Sequence, residues 1–399
     1  MTNREKVLET AAGREGRGIP LPATLETPAV IYDLAVLEKQ LQHIRHLRAQ
    51  SGLRVLYSVK ACALAELLHR IAPSVDGFSA SSLFEARLSR EVLGSSGEVH
   101  VTSPGYAPTD FDALVRYADH INFNSLSQCE RFAAEARGGV QRGLRINPQY
   151  SRVPDARYDP CRPDSKLGVP LAQCASAWAR LMNGAHPPDG LHFHTHCESR
   201  DFTPLREIVE RIEHTLPEAL RQVRWLNLGG GYLLDDGADA TVLTALVADL
   251  KDHYPKLTVY FEPGKALVND AGSLVASVVD VFEQGDTQIA VLDTSVNHQP
   301  EVFEYQRTPR VLESSVAGAH EYLLAGGTCL AGDLFGRYRF AGPLRIGSRV
   351  TFHGVGAYAL AKAHRFNGHN LPAIHLRLPT GELRSIKQYD YEDYHRQWC

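Results

Sequence analysis

Three kinds of segment are absent from this sequence of 399 residues, and each absence excludes a class of function. No uninterrupted apolar stretch reaches the roughly 20 residues of a membrane-spanning helix, and residues 1–20 contain no apolar core of a signal peptide. No long Lys/Arg block occurs and the formal net charge is -4, which argues against a nucleic-acid or anionic-membrane partner. We therefore expect a cytoplasmic protein that acts on a small molecule.

Cysteine usage gives no structural framework either. The seven cysteines are an odd number with scattered spacing, so the sequence predicts neither a disulfide scaffold nor a zinc CxxC site. We expect no bound metal, and at least one cysteine is available for chemistry. With 44% hydrophobic residues, the chain is long enough for one large domain and a smaller one.

Strand-like and helix-like segments alternate through the first two thirds of the chain. The strand candidates are rich in β-branched and aromatic residues and are bounded by turn residues; they are 53–59, 76–79, 98–102, 120–123, 143–146, 190–195, 223–228 and 257–262. Eight such units in series predict a parallel (β/α)8 barrel, which we place at residues 36–270.

The remainder of the chain has a different texture. From residue 271 to residue 399 strand-like segments dominate and helical patterns are scarce; the segments are 274–282, 287–293, 320–325, 349–353 and 373–378. The apolar run Ala29–Tyr32 ahead of the barrel is suited to pair with them. We predict a C-terminal all-β domain, a β-sandwich or β-barrel, to which residues 1–35 contribute.

The barrel prediction gives positions to several polar residues, because functional groups in such barrels lie at the carboxyl ends of the strands. Lys60 closes the first strand, where an amine beside apolar neighbours can act as a nucleophile toward aldehydes. His194 closes the sixth, Gly229–Gly231 follow the seventh, and Glu262 closes the eighth. Taken singly, each has an ordinary interpretation: a surface lysine, a core histidine, a flexible turn and a strand-end carboxylate.

Together these groups match the needs of one cofactor. Glycines expose backbone N–H groups to a phosphate, a lysine forms a Schiff base with an aldehyde, and a carboxylate facing a pyridine ring keeps its nitrogen protonated. An imidazole such as that of His194 stacks on a planar ring. Lys265, in the turn after Glu262, balances phosphate charge or is simply solvated. The set predicts pyridoxal 5'-phosphate.

In these residues and in further segments, the chain resembles the fold type III pyridoxal-phosphate decarboxylases over nearly its whole length. Within that family it is most similar to the carboxynorspermidine/carboxyspermidine decarboxylases. The matching segments are 81–85, 123–128, 144–148, 158–161, 166–169, 192–195, 227–231, 262–264, 292–295, 326–333 and 366–368. The resemblance implies a barrel followed by a β-domain, as in alanine racemase and ornithine decarboxylase, and removal of an α-carboxylate from a carboxylated polyamine.

The resemblance also implies roles for single residues. It implies that Lys60 is the Schiff-base lysine, that His194 stacks on the ring and that Glu262 faces the pyridine nitrogen. The residues implied to bind phosphate are Gly229, Gly230, Gly231 and Tyr358. Cys329 becomes the general acid, and Asp333, Asp293 and Glu198 lie on the substrate side. In that family the cysteine and its neighbouring aspartate come from the other subunit, so the resemblance implies a homodimer with shared sites. The ordinary alternative for Cys329 is a small apolar residue.

Several residues depart from the family pattern and leave the substrate open. His196 stands where the family has leucine, Lys265 where it has glutamate, and residues 298–301 and 359–365, including Arg365, differ as well. A related decarboxylase acting on a different amino-acid or aminocarboxypropyl substrate, in specialised metabolism, fits this pattern about as well as the polyamine enzyme.

Three other functions remain as alternatives. A metal-dependent barrel hydrolase would use His192, His194 and His196, which share one face of a strand, but it leaves Lys60 and the triple glycine without a role. A carrier that binds pyridoxal phosphate without catalysis does not need a second domain. A racemase is less consistent with Glu262 as the partner of the ring nitrogen.

Overall fold

The computed structural model describes residues 21–153, 155–235 and 238–399. They form two compact units. One unit is Lys39–Leu267, and the other joins the residues up to Glu38 with Val268–Cys399. Residues 1–20 of the predicted N-terminal contribution to the β-domain lie outside the described residues. Within the described part of the chain, no helix is both long and apolar enough to cross a membrane.

The strands divide between the two units. In chain order they are β1 (Ala29–Asp33), β2 (Arg54–Ser58), β3 (Gly77–Ala80), β4 (Glu98–Thr102), β5 (His120–Phe123), β6 (Gln141–Asn147), β7 (Val169–Pro170), β8 (Gly190–His192), β9 (Trp225–Asn227), β10 (Thr258–Phe261), β11 (Gly272–Gln284), β12 (Thr287–Leu292), β13 (Arg310–Val311), β14 (His320–Ala325), β15 (Leu334–Phe340), β16 (Arg349–His353), β17 (Ala373–Arg377) and β18 (Leu383–Lys387).

Most of the helices alternate with the strands of the barrel unit, Lys39–Leu267. In chain order the helices of both units are α1 (Leu34–Ser51), α2 (Ala65–Ile71), α3 (Leu83–Leu93), α4 (Pro108–Tyr117), α5 (Leu126–Phe132), α6 (Leu171–Met182), α7 (Thr203–Thr215), α8 (Ala219–Gln222), α9 (Thr241–His253), α10 (Lys265–Val268), α11 (Pro300–Tyr305), α12 (Ala359–Lys362) and α13 (Tyr391–Trp398). Short 3-10 turns occur as well, among them Val59–Ala61 and Phe366–Gly368.

The predicted barrel is confirmed. Strands β2, β3, β4, β5, β6, β8, β9 and β10 pair in parallel in that order, and β10 pairs with β2, which closes the ring. Each of the eight predicted strands corresponds to one of them. The sixth is shorter than predicted, because β8 ends at His192 and leaves His194 in the following loop.

Local sequence signals explain where barrel helices begin. The Ser82 side chain accepts a hydrogen bond from Glu85 N at the start of α3, and the Ser125 side chain accepts one from Gln128 N at the start of α5. Such serine caps satisfy backbone donors that the first turn of a helix leaves without partners. The caps fix the points at which the chain leaves the carboxyl ends of β3 and β5.

The amino-terminal half of the barrel interior is filled by bulky groups. Trp225 occupies the space beside Gly143 and Gly190, where an added Cβ would lie 2.4 and 2.0 Å from its ring. The rings of His100 and His120 stack with centroids 3.8 Å apart. Because these groups fill that half of the barrel, the polar residues predicted to be functional lie toward its opposite, carboxyl end.

The second unit contains the predicted β-domain as one mixed sheet. Its main path runs β15-β14-β12-β11-β1-β17-β18, and β16 pairs with β11 and β13. Strand β1 lies between β11, to which it is antiparallel, and β17, to which it is parallel. The prediction that Ala29–Tyr32 pairs with C-terminal strands is therefore confirmed.

Strands β15 and β18 and helix α13 are among the elements of this unit that were not predicted. Strand β15 alternates exposed arginines with the buried aromatic residues Tyr338 and Phe340, a signal that the arginines obscured. Strand β18 is a largely exposed edge strand with little apolar patterning. Helix α13 has no buried residue and begins at a capping box formed by Asp390 and Asp393.

Candidate active site

Lys60 lies just past the end of β2, in the 3-10 turn Val59–Ala61, and its side chain is exposed. The strand ends at Ser58, whose N–H donates to Pro263 O (3.0 Å) and whose hydroxyl donates to Glu262 O (3.1 Å). These two bonds tie the turn that carries Lys60 to the segment that follows β10. The first and last strands of the barrel therefore place Lys60 and Glu262 on neighbouring backbones.

Glu262 is buried and its carboxylate has two partners from other strands. Asn227 Nδ2 donates to Oε1 at 2.8 Å, and His192 Nε2 lies 3.5 Å from Oε2. Burial raises the pKa of Glu262, but the contacts with His192 and Asn227 outweigh it and hold that pKa well below its ordinary value. The carboxylate is therefore ionised at neutral pH.

His194 accepts a hydrogen bond on its ring. Gly230 N–H donates to His194 Nδ1 at 3.1 Å, so any proton of the neutral ring is on Nε2. Burial and the positive charge of Lys60 hold the pKa of His194 well below its ordinary value. The ring is thus a neutral plane, which suits the stacking role predicted for it.

The three glycines after β9 are packed tightly against neighbouring backbone. A Cβ on Gly229, Gly230 or Gly231 would lie 2.2, 2.1 or 1.7 Å from a carbonyl oxygen of Phe193, Glu262 or His196. Gly229 and Gly231 also have positive φ values, 68° and 91°. These close contacts require glycine whether or not a ligand is bound.

Two of the three glycine amides already have partners. Gly229 N–H donates to Asn227 Oδ1 at 2.9 Å, and Gly230 N–H donates to His194 Nδ1. Within the described residues, the amide of Gly231 has no hydrogen-bond partner. Phosphate binding by this turn stays a prediction, and Gly231 is the member whose donor is available.

Arg145, on β6, is a charged residue within the matching segment 144–148 for which the sequence predicted no role. It is 7% exposed, and its Nε has no hydrogen-bond partner within residues 21–153, 155–235 and 238–399. Burial lowers the pKa of Arg145, and the negative charge of Glu262 opposes that shift. A buried guanidinium without a carboxylate partner is costly. The signal that pointed to it was an arginine between the buried apolar residues Leu144 and Ile146.

Glu85, in the first turn of α3, is a second group near Lys60. Its Oε2 accepts a hydrogen bond from Ser81 N–H at 2.7 Å. Burial raises the pKa of Glu85, while the Ser81 amide and the charge of Lys60 lower it in part. Lys60 therefore acts electrostatically on both Glu85 and His194.

Glu198, in the loop after β8, forms an ion pair with Lys265, the first residue of α10. Lys265 Nζ lies 2.8 Å from Glu198 Oε1, and the side chains are 15% and 36% exposed respectively. Glu198 follows His194 by four residues, and Ser199 N–H donates to Gly231 O. The carboxylate predicted to contact substrate is thus already neutralised in part by the lysine that departs from the family pattern.

The remaining predicted residues belong to the second unit. Cys329 is an exposed free cysteine in the loop between β14 and β15. Asp333, in the same loop, is 2% exposed, and its two carboxylate oxygens accept hydrogen bonds from Val296 N–H and Thr328 N–H. Tyr358 is half-buried and has a left-handed backbone conformation, with φ of 63°, immediately before α12.

Asp293 also has structural partners. Its Oδ2 accepts a hydrogen bond from Thr27 Oγ1 at 2.5 Å, and its Oδ1 accepts one from Ser277 N–H at 2.9 Å. Burial raises the pKa of Asp293, and these hydrogen bonds lower it in part. The substrate-side roles of Asp293 and Asp333 stay predictions, and both carboxylates are engaged within their own unit.

Glu98, His100 and His120 are near enough to one another, within 4.8 Å, to be compared with a metal site. Their geometry is unfavourable for one. The two imidazole planes are only 17° from parallel, so lone pairs in those planes do not converge on one point. Arg54 Nη1 lies 2.9 Å from Glu98 Oε1 and already neutralises the carboxylate. The cluster is best explained as polar packing inside the barrel.

Lys60, His194 and Glu262 follow three different strands of one closed parallel (β/α)8 barrel, the architecture of a class of barrel enzymes. A family model described as "Pyridoxal-dependent decarboxylase, pyridoxal binding domain" matches residues 34–269. The chain belongs to this family of pyridoxal-dependent decarboxylases, and the resemblance noted in the sequence is confirmed.

Individual relatives cover almost the whole chain. It is 36% identical over 380 residues to the carboxyaminopropylagmatine decarboxylase of Synechocystis sp., covering 94% of this chain and 96% of the relative. It is 34% identical to the carboxynorspermidine/carboxyspermidine decarboxylase of Herminiimonas arsenicoxydans, covering 93% and 98% respectively.

Solved structures agree with these matches. The structure of carboxynorspermidine decarboxylase from Campylobacter jejuni, complexed with norspermidine, superposes with a TM-score of 0.83 at 31% identity and covers 94% of this chain and 100% of that one. Diaminopimelate decarboxylase from Helicobacter pylori has a TM-score of 0.82 at 17% identity, covers 99% of each chain and shows the shared fold alone.

Proposed function

We propose that this protein removes the α-carboxylate of a carboxylated polyamine and releases the amine. The observation that carries the proposal is the buried Glu262 carboxylate, to which Asn227 Nδ2 donates at 2.8 Å, on the same barrel rim as Lys60, in a chain whose relatives at 34–36% identity act on carboxylated polyamines according to their names. Carboxynorspermidine and carboxyspermidine are the first candidate substrates. Carboxyaminopropylagmatine is the second, because the Synechocystis relative is named for it.

The barrel residues fit pyridoxal 5'-phosphate as cofactor. Lys60 supplies an amine for attachment, and Gly231 supplies an amide donor without a partner in the described part of the chain. Glu262 supplies a carboxylate suited to a protonated ring nitrogen, and the neutral ring of His194 supplies a stacking surface. When bound, the cofactor withdraws the electron pair that the departing carboxylate leaves behind.

Each side chain then has one task. Glu262, held by the hydrogen bond from Asn227, would keep a proton on the ring nitrogen of the bound cofactor and so keep that ring electron-withdrawing. Lys60 would hold the cofactor through its Nζ amine. Cys329 donates a proton to the carbon from which carbon dioxide has left. The buried guanidinium of Arg145 supplies positive charge to the same interior and favours an anionic ligand there.

The proposal includes a homodimer in which Cys329 serves the site of the partner subunit. The support is the family resemblance of the segment 326–333 and the position of Cys329 on an exposed loop of the second unit. Tyr358 and Gly231 are the proposed phosphate contacts, and Glu198 is the proposed contact for a distal amine.

Two measurements test the proposed function. Borohydride reduction of the cofactor-loaded protein should fix the cofactor to the peptide that contains Lys60, and Lys60→Ala should abolish both labelling and decarboxylation. Lys256→Ala, which alters an exposed lysine in the loop after α9, should preserve both. Labelling at another lysine would overturn the assignment.

The substrate is tested separately by carbon dioxide release. The panel is carboxynorspermidine, carboxyspermidine, carboxyaminopropylagmatine, diaminopimelate, ornithine, lysine and arginine. We expect one of the first three to give the highest kcat/KM. Preference for diaminopimelate or ornithine would contradict the proposed substrate class.

A further inference from the structure

The loop that carries Cys329 is organised around one buried carboxylate. Asp333 Oδ1 accepts from Val296 N–H at 2.8 Å, and Oδ2 accepts from Thr328 N–H and Oγ1 at 3.1 and 2.5 Å. Gly326 N–H donates to Asp333 O at 2.8 Å. Because Asp333 is 2% exposed, these bonds are shielded from water and hold the backbone on both sides of the cysteine.

The backbone of Cys329 itself is held from elsewhere in the same unit. Cys329 N–H donates to Asn367 Oδ1 at 2.9 Å. Asn367 belongs to the 3-10 turn Phe366–Gly368, 38 residues further along the chain. The side chain of Asn367 therefore fixes the peptide that precedes the Cys329 Cα, independently of Asp333.

The conformation of Asn367 is specialised for this contact. Its φ and ψ are 55° and 16°, in the left-handed region that disfavours most side chains. Asparagine tolerates this region better than other residues that carry a side chain. Glycine would tolerate it as well but would provide no acceptor for the Cys329 amide.

A second contact joins the same turn to the same loop. A Cβ placed on Gly327 would lie 3.0 Å from His369 Cε1, so the imidazole packs closely against the backbone two residues before Cys329. The turn and the loop thus meet at two points, one polar and one steric. A hydrogen bond supported by packing has a defined direction even though Asn367 and Cys329 are both exposed.

We propose that Asn367 is a positioning residue for Cys329, and this rests on the proposed proton-donor role of that cysteine. By accepting the Cys329 N–H, Asn367 fixes the orientation of the Cα–Cβ bond and hence the position of the thiol. The thiol gives its proton to the carbon that has lost carbon dioxide, and the resulting thiolate regains a proton from solvent. Asp333 maintains the loop as a whole, whereas Asn367 acts on the cysteine alone.

The test compares three variants of the full-length, cofactor-loaded protein. Asn367→Gly keeps the left-handed backbone and removes the acceptor, and Asn367→Asp keeps an acceptor. Asn370→Ala is the matched control, because Asn370 is exposed in the adjoining segment and its Nδ2 donates to Tyr389 O at 2.6 Å. The readouts are kcat and KM for decarboxylation, and the iodoacetamide alkylation rate of Cys329 by peptide mass spectrometry, with exposed Cys399 as internal reference.

We expect Asn367→Gly to lower kcat by about three- to tenfold, the range of a single net hydrogen bond, with KM changed less than twofold. Cys329 should be alkylated at least threefold faster because its backbone is released, while Cys399 reacts as before. Asn367→Asp should restore kcat to within about twofold, and Asn370→Ala should change nothing.

Two results would overturn the inference. One is a kcat and a Cys329 alkylation rate in Asn367→Gly that equal those of the unchanged protein. The other is an equal effect of Asn370→Ala, which would indicate general loosening of the segment. If no substrate is decarboxylated, the proposed function fails, whereas the alkylation comparison still decides whether Asn367 holds Cys329.

Discussion

At the scale of single residues, a buried carboxylate stays ionised only where polar partners compensate for lost hydration, and Glu262 has such partners in Asn227 and His192. Replacing Glu262 with glutamine keeps the shape and removes the charge. We expect Glu262→Gln to lower kcat by at least tenfold, because the ring nitrogen loses its anionic partner. Cofactor content, measured after alkaline release, should fall less than twofold. Equal losses in turnover and cofactor content would exclude this role.

The same carboxylate should contribute to the pH dependence of folding. Its folded pKa lies below the unfolded value of about 4.3. The stabilisation is therefore complete above that pH and is lost as the pH falls toward the folded pKa, because only the unfolded state gains a proton there. Urea unfolding of the cofactor-free protein at a series of pH values below about 5 should show a shallower loss of stability for Glu262→Gln. Identical slopes for the two proteins would refute the shift.

At the scale of elements, the turn after β9 shows how a motif predicted for ligand binding also serves packing. Its glycines allow the carbonyl groups of Phe193, Glu262 and His196 to approach, so the loops after β8, β9 and β10 fit together. A triple glycine in the sequence does not distinguish a packing requirement from a phosphate-binding site, because both need the same backbone without Cβ atoms.

Gly231→Ala separates the steric requirement from the ligand. Its Cβ would lie 1.7 Å from His196 O at a φ of 91°, so we expect the cofactor-free protein to lose about 2–4 kcal/mol of unfolding free energy. The control is Gly285→Ala, in the β11–β12 turn, which has a φ of 61° but no atom within 4 Å of the added Cβ. Gly285→Ala should cost only about 1 kcal/mol. Similar losses in both variants would mean that backbone conformation, not close packing, requires glycine at position 231.

At the scale of the whole molecule, the proposed residues divide between the two units. Lys60, His194 and Glu262 lie in the barrel unit, and Cys329 lies in the second unit, which contains the β-domain. The proposed homodimer predicts that one complete site forms when two different defective subunits combine. Coexpressed Lys60→Ala and Cys329→Ala chains should therefore regain about a quarter of the activity, because half of randomly paired dimers are mixed and each mixed dimer has one intact site.

Each variant expressed alone sets the baseline for that experiment. Recovery requires Cys329 to act in the partner's site. Activity of the coexpressed sample that stays at the mean of the two separate variants would show that each site is built from one chain. Analytical ultracentrifugation of the unchanged protein provides the matching measurement of oligomeric state.

The order of the eight barrel strands, the pairing of β1 with C-terminal strands and the family could all be predicted from the sequence, because they depend on local patterns and on ordered motifs. The sequence did not indicate that β8 ends before His194, that the amides of Gly229 and Gly230 have hydrogen-bond partners, or that Arg145 is buried with no bond to its Nε from the described residues. These features became visible only in the folded chain. Burial and hydrogen bonding depend on residues brought together from distant strands, whereas periodicity reports only the face that each residue occupies.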